Sequence, residues 1–271
     1  MNLNHAPSVY DSIVESLACS GTASSKFIAV AQQALASCRT VEACNRYSHA
    51  IEAAAEAAPP PFCMNHYEEV YQQYSANPRW LAISLMANAQ REGQGATDLW
   101  TLAACAELQN EQALVKQHAI DESRHAQMYL TLLDLNFPDL VAQSFREEMN
   151  VLSPGFSESQ KLQPYPESDY AKNPSIDDFV QMNIAEIRTT FHHLMQRQAL
   201  QHHCPQKNMF KSLKVLDSLL LDELRHVAYT ACLIEEKAAS LGEGALVKLY
   251  TRRLIDFNRI TTEEIGDQVF Q

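Results

Sequence analysis

Apolar residues recur at helical spacing along most of the chain. Near the amino terminus they fall at Val9, Ile13, Val14 and Leu17, then at Ile28, Val30, Ala31, Ala34 and Leu35. This rhythm of three and four predicts two or three short amphipathic helices, broken near Gly21 and near Arg39-Thr40. Pro59-Pro60-Pro61 closes the region, because three fixed φ angles and three missing donors cannot continue a helix. A Tyr-rich stretch follows (Tyr67, Tyr71, Tyr74), and a long periodic run starts at Asn77-Pro78 and reaches Pro138. Residues 138–149 suit one further helix. Residues 151–175 carry Pro154, Gly155, Pro164, Pro166 and Pro174, and read as a connection longer than compact domains usually contain. Ser175-Ile176-Asp177-Asp178 has the cap and the acidic first turn of a helix start. That helix should run to about His203, break at Pro205 and resume from about Asn208 to Leu241, with a last amphipathic segment at 245–268 beyond Gly242 and Gly244. No run alternates strictly, so the expected class is all-α.

Composition agrees with that class. Only 7 Gly occur in 271 residues, and an apolar content of 46% is ordinary for a globular chain with a core. The net charge of −12 disfavours nucleic acid or an anionic membrane as partner. Seven Cys, an odd number with no Cys-x-x-Cys pair, fit buried thiols in a reduced setting. The first residues lack the basic start and apolar run of a secretion signal, and no uncharged apolar stretch is long enough to span a bilayer, so a cytoplasmic location is expected.

One pattern occurs twice: Asp121-Glu122-Ser123-Arg124-His125 and Asp222-Glu223-Leu224-Arg225-His226. On a helix the Glu and the His of each Glu-x-x-His project to nearly the same side and can bind one metal ion together. Two such pairs supply two carboxylates and two imidazoles. A dimetal site needs further oxygen donors, one from each of two more helices.

Helix register selects those donors. Gly93 and Gly95 offer a turn, but a turn there would put Glu92 and Glu122 on the order of 40 Å apart along the helix. A turn near Leu108-Gln109-Asn110 brings them to similar heights on antiparallel neighbours, giving helices at 78–107 and 111–135. Glu186 and Glu223 stand 19 and 18 residues on either side of Pro205. Glu107 and Glu111 lie too near the turn to serve and are expected as solvated charges.

With Glu92, Glu122, His125, Glu186, Glu223 and His226 in these positions, residues 78–240 resemble the ferritin-like non-haem di-iron carboxylate oxidases and oxygenases. The resemblance implies a four-helix bundle, here 62–271 with residues 151–175 as crossover, joined by an amino-terminal helical extension (1–61) and a carboxy-terminal helix. It implies two irons, with manganese as the alternative in one site, Glu122 and Glu223 bridging, and Glu92 and Glu186 more terminal. Asp121 would then serve His226, and Asp222 would serve His125, as hydrogen-bond acceptors that fix ring orientation, with Arg124 and Arg225 balancing their charge. The alternative for both Arg is a surface ion pair.

Further residues adjoin this set. Thr190, one turn after Glu186, corresponds to a Thr beside the metals in bacterial multicomponent monooxygenases, or bonds its own helix. Tyr129, one turn after His125, corresponds to the radical-bearing tyrosine of ribonucleotide reductase small subunits, or packs in the core. His118 shares the face of Glu122 as a further candidate ligand, and His193 is placed to line the cavity. The implied function is an O₂-dependent oxygenase or oxidase that hydroxylates or N-oxygenates a small organic substrate, with an external electron donor and a homodimeric state. The alternatives are a ferroxidase or other iron-handling protein, and a radical-generating di-metal subunit.

Overall fold

The computed structural model describes residues 9–38 and 44–266, and among them it is all-helical, with no strand. The break expected at Arg39-Thr40, the residues read for a leader, and the end of the last segment lie outside the described residues. Contacts divide the chain into two compact units. Among the described residues, one holds those up to Gln72, Ile176–Gln196 and those from Leu216 on; the other holds Gln73–Ser175 and Arg197–Val215.

The first unit begins with three short helices, α1 (Val9–Ala18), α2 (Ala23–Ser37) and α3 (Asn45–Ala57). Thr22 and Ser25 form a reciprocal capping box that starts α2, satisfying two donors a helix end would leave bare. The N-terminal cap of α3, Cys44, makes no side-chain cap bond. Instead Glu235 accepts the Tyr47 backbone N–H at 2.8 Å and the Arg46 guanidinium at 3.0 Å. Pro61–Cys63 is a 3-10 turn with Phe62 buried, followed by α4 (Asn65–Ser75), and the Asn258 amide donates to the carbonyls of Ala58 and Pro59. Phe62 stacks its edge against Phe27 and also meets Phe191, each at 6.0 Å between centroids. Asn258 belongs to α10 (Ala245–Gly266), which packs along α3. This unit also contains most of α9 (Met209–Ala238) and the N-terminal part of α8 (Ile176–His203). The start of α8 is tied down by Arg253, which grips Asp177 with two bonds of 2.7 Å.

The second unit is built on α5 (Pro78–Cys105) and α6 (Gln109–Asn136), 28 residues each and packed against one another. Asn77 caps α5 by accepting from Arg79, with Pro78 in the first helical position where a missing N–H costs nothing. The turn falls at residues 106–108, and α5 runs straight through Gly93 and Gly95. Short steps at Ala89, Gly93 and Ala96 are all buried. A 3-10 turn at Pro138–Leu140 precedes α7 (Gln143–Leu152). The end of α6 is closed by Asn208, whose amide donates to the Leu135 carbonyl, and by Asn136, which bonds Leu132 and Ser212.

The connection 153–175 holds no helix but is pinned along α5 and α6. Ser153 donates to the Ser123 carbonyl, Phe156 N–H to the Ser123 hydroxyl, and Tyr165 N–H to Thr101. Phe156 lies flat on Trp100 at 4.2 Å. Its irregular path needs two left-handed residues, Gly155 and Glu167. One expectation is corrected here. Glu107 is exposed, but Glu111 is buried in the first turn of α6, where the positive end of the helix favours a carboxylate.

Candidate metal centre

In the second unit Glu92 comes from α5, and Glu122 and His125 come from α6. Because the turn sits at 106–108, the two carboxylates reach each other, and one ligand atom from each of the three residues lies within 4.8 Å of the others. His125 Nδ1 is 3.5 Å from Glu122 Oε1 and 3.8 Å from Glu92 Oε2. His118, one turn earlier on α6, places Nε2 at 3.1 Å from the same Glu122 oxygen. His118 and His125 are fully buried.

The first unit repeats this arrangement. Glu186 comes from α8, and Glu223 and His226 from α9. His226 Nδ1 lies 3.4 Å from Glu223 Oε2 and 3.8 Å from Glu186 Oε2. A second imidazole again adjoins the set: His193 Nδ1 is 3.9 Å from Glu223 Oε1, and all of these groups are buried or nearly so.

Distances of 3.4–3.8 Å between imidazole nitrogen and carboxylate oxygen are long for hydrogen bonds. They fit ligand edges. Two donors each about 2.1 Å from one metal are about 3 Å apart at a right angle and about 4.2 Å apart across it. The donor set, two carboxylates and one imidazole per unit, suits first-row divalent cations.

Burial and the neighbouring charges set the proton affinities of this set. Burial and the facing Glu122 carboxylate hold the Glu92 carboxyl well above its usual range. Burial also opposes ionisation of Glu122, but hydrogen bonds from Glu92 and His118, with His125 close by, keep it well below the usual range. Burial disfavours charge on His125 too, yet contact with Glu122 and Glu92 outweighs it and pushes the imidazole up to about 10. The two carboxyls are thus pushed in opposite directions, Glu92 up and Glu122 down, beside a raised His125.

The neighbouring residues fall as follows. Asp121 accepts from Arg124 at 2.8 Å and from Gln117 at 3.3 Å, and Asp222 pairs with Arg225, each Arg one turn along its own helix. Both Arg side chains are substantially exposed while both Asp are buried. The Thr190 hydroxyl is buried and donates to the Glu186 carbonyl at 2.9 Å, so its proton points along the helix. Tyr129 is buried in α6.

Sequence reasoning passed over two features nearby. His192 stacks in parallel on Tyr67 and meets its hydroxyl at 2.8 Å. Asn183, one turn before Glu186, accepts from the Tyr47 and Tyr250 hydroxyls and donates to the Val227 carbonyl and the Thr230 hydroxyl. Thr230 in turn donates to the His226 carbonyl. Helical spacing to Glu186 was the available signal for Asn183.

The chain matches no protein-family model, no curated protein and no solved structure. No helix among the described residues is long and apolar enough to cross a membrane.

Proposed function

We propose that this protein is an O₂-dependent di-iron oxidase or oxygenase acting on a small organic molecule, by hydroxylation or N-oxygenation. The observation that carries the reading is the repeated carboxylate–imidazole set, Glu92/Glu122/His125 and Glu186/Glu223/His226, with matching internal distances in the two units. In this reading the protein is a ferritin-like di-iron carboxylate enzyme. Glu92, Glu122 and His125 in one unit, and Glu186, Glu223 and His226 in the other, would hold the irons, which when bound would supply the electrons for O₂ reduction, with an external donor restoring them.

The chain's own contribution is selection and exclusion. Buried carboxylates hold hard divalent cations and neutralise their charge. Asp121 and Asp222, each anchored by its Arg, would serve as acceptors that orient imidazoles. The strap 153–175, held by Ser123 and Thr101, covers one side of α5 and α6 and limits water entry there.

The test is anaerobic loading with Fe²⁺, metal counting, and then O₂. Two irons per chain and O₂ uptake that stops until electrons are supplied support the reading. Continued iron uptake with a growing ferric core makes the protein a ferroxidase instead. Glu92→Ala and Glu186→Ala should each lower the metal count; two irons retained in both variants sink the ligand assignment.

A further inference from the structure

We propose that Cys44 and Cys232 form a reversible dithiol–disulfide pair that fastens the start of α3 to α9. The inference does not rest on the reading of the metal centre. Cys44 occupies the N-terminal cap of α3, is buried, and leaves the capping to α9, where Glu235 accepts the Tyr47 N–H. Cys232 precedes Glu235 by three residues, so it lies on the same face of α9 one turn earlier. The same docking that seats α3 on Glu235 thus brings the two thiols together, and they share a hydrogen bond. Nothing in the sequence announces this pair, since 187 positions separate the two residues.

The two thiols differ in access. Cys232 is partly exposed, whereas Cys44 is buried. Burial, reinforced by the neighbouring Cys232, pushes the Cys44 thiol up to about 12. Cys232 is therefore the sulfur that meets an outside reagent, and Cys44 is the resolving partner.

The oxidant is a low-molecular-weight disulfide. The Cys232 thiolate attacks one of its sulfurs, forming a mixed disulfide and expelling one small thiolate. The Cys44 sulfur, losing its proton to solvent, then attacks Cys232 Sγ and expels the second small thiolate. Two protein thiols become one disulfide, and the two electrons leave on two small thiols. Cys232 lies six residues beyond His226, about 9 Å along α9, which places the link on the helix that carries Glu223 and His226.

The full chain is equilibrated with oxidised and reduced glutathione at graded ratios, quenched in acid, alkylated under denaturing conditions and analysed by mass spectrometry. The expected product is lighter by two hydrogen atoms and blocks two of the seven alkylation sites, and its digest contains a peptide linking Cys44 to Cys232. Dithiothreitol reverses it. Cys232→Ser and Cys44→Ser each abolish the link; Ser is a favoured N-terminal cap, so the second variant keeps α3 intact. A glutathione adduct that accumulates on Cys232 without the link overturns the proposal. So does a link through any other cysteine, or seven free thiols at every ratio.

Discussion

His118 Nε2 lies 3.1 Å from Glu122 Oε1, one turn apart on α6, with both side chains buried. The imidazole thus fixes one oxygen of the carboxylate to which the motif assigns metal binding. Replacing it with Ala frees that oxygen to turn away from the metal. His118→Ala should weaken divalent-cation binding by about 10- to 100-fold, the usual effect of losing a group that orients a ligand. His118→Gln, which retains a donor, should recover part of it. Equilibrium titration with Zn²⁺ as a redox-silent probe measures both, and wild-type affinity in the Ala variant would remove His118 from the site.

Protons on the candidate ligands give metal binding a pH dependence. With His125 raised to about 10, the imidazole carries a proton near neutrality that a metal must displace, and the upward shift of Glu92 acts in the same direction. Binding therefore strengthens as pH rises, and the gain continues until pH reaches the folded pKa of His125. Zn²⁺ added to weakly buffered protein should release at least one proton per metal bound, seen with an indicator dye. Affinity constant between about pH 6 and 9 would contradict the charge assignment.

Much of this was readable from sequence, because helix register and ligand chemistry constrain each other. Requiring Glu92 to reach Glu122 placed the first turn near Leu108 although Gly93 and Gly95 sit inside the helix, and the structure turns at 106–108. Asn77-Pro78 and Ile176 mark helix starts because cap chemistry is local. What stayed hidden depends on residues distant in sequence. Glu235 caps a helix 188 residues away, and Ser123 and Thr101 hold a strap whose own residues only suggest a loop. The burial of Glu111 likewise needed the packed structure, since composition near a turn favours solvent.

Gly95 tests whether the glycines of α5 serve packing. A Cβ built there meets nothing within 4 Å, and the residue is in mid-helix with ordinary backbone. Gly95→Ala should stabilise the protein by about 0.5–1 kcal/mol, by reducing the freedom of the unfolded chain. Urea unfolding monitored by circular dichroism checks the sign; destabilisation would mean that Gly95 is needed for an approach the ground structure does not show.

Asn183 is the opposite case. Its side chain is fully buried and makes four hydrogen bonds, two of them from the Tyr47 and Tyr250 hydroxyls, which burial keeps firmly protonated. Asn183→Ala strands both hydroxyls, at about 1–3 kcal/mol each. A loss of roughly 3–5 kcal/mol is expected in urea unfolding, and Tyr47→Phe/Tyr250→Phe in the Ala background should recover part of it. Failure of the double Phe change to recover any stability would place the loss elsewhere.

Asp177 links the start of α8 to α10 through Arg253 at 2.7 Å and Arg252 at 3.0 Å. Partial burial works against the carboxylate, but the two guanidinium groups prevail and lower its pKa. A folded pKa below the unfolded one means that stability is present in full above the unfolded value, near 4, and drains away as pH falls through the folded value. Because the group is partly solvated, the amplitude is modest. Asp177→Asn removes the ionisable partner, so the difference in stability between wild type and variant should be constant above about pH 5 and shrink steadily below it. Thermal midpoints of the two proteins across this acid range give the comparison. A difference that persists undiminished below the pKa of an ordinary aspartate would show that Asp177 acts through packing and not through its charge.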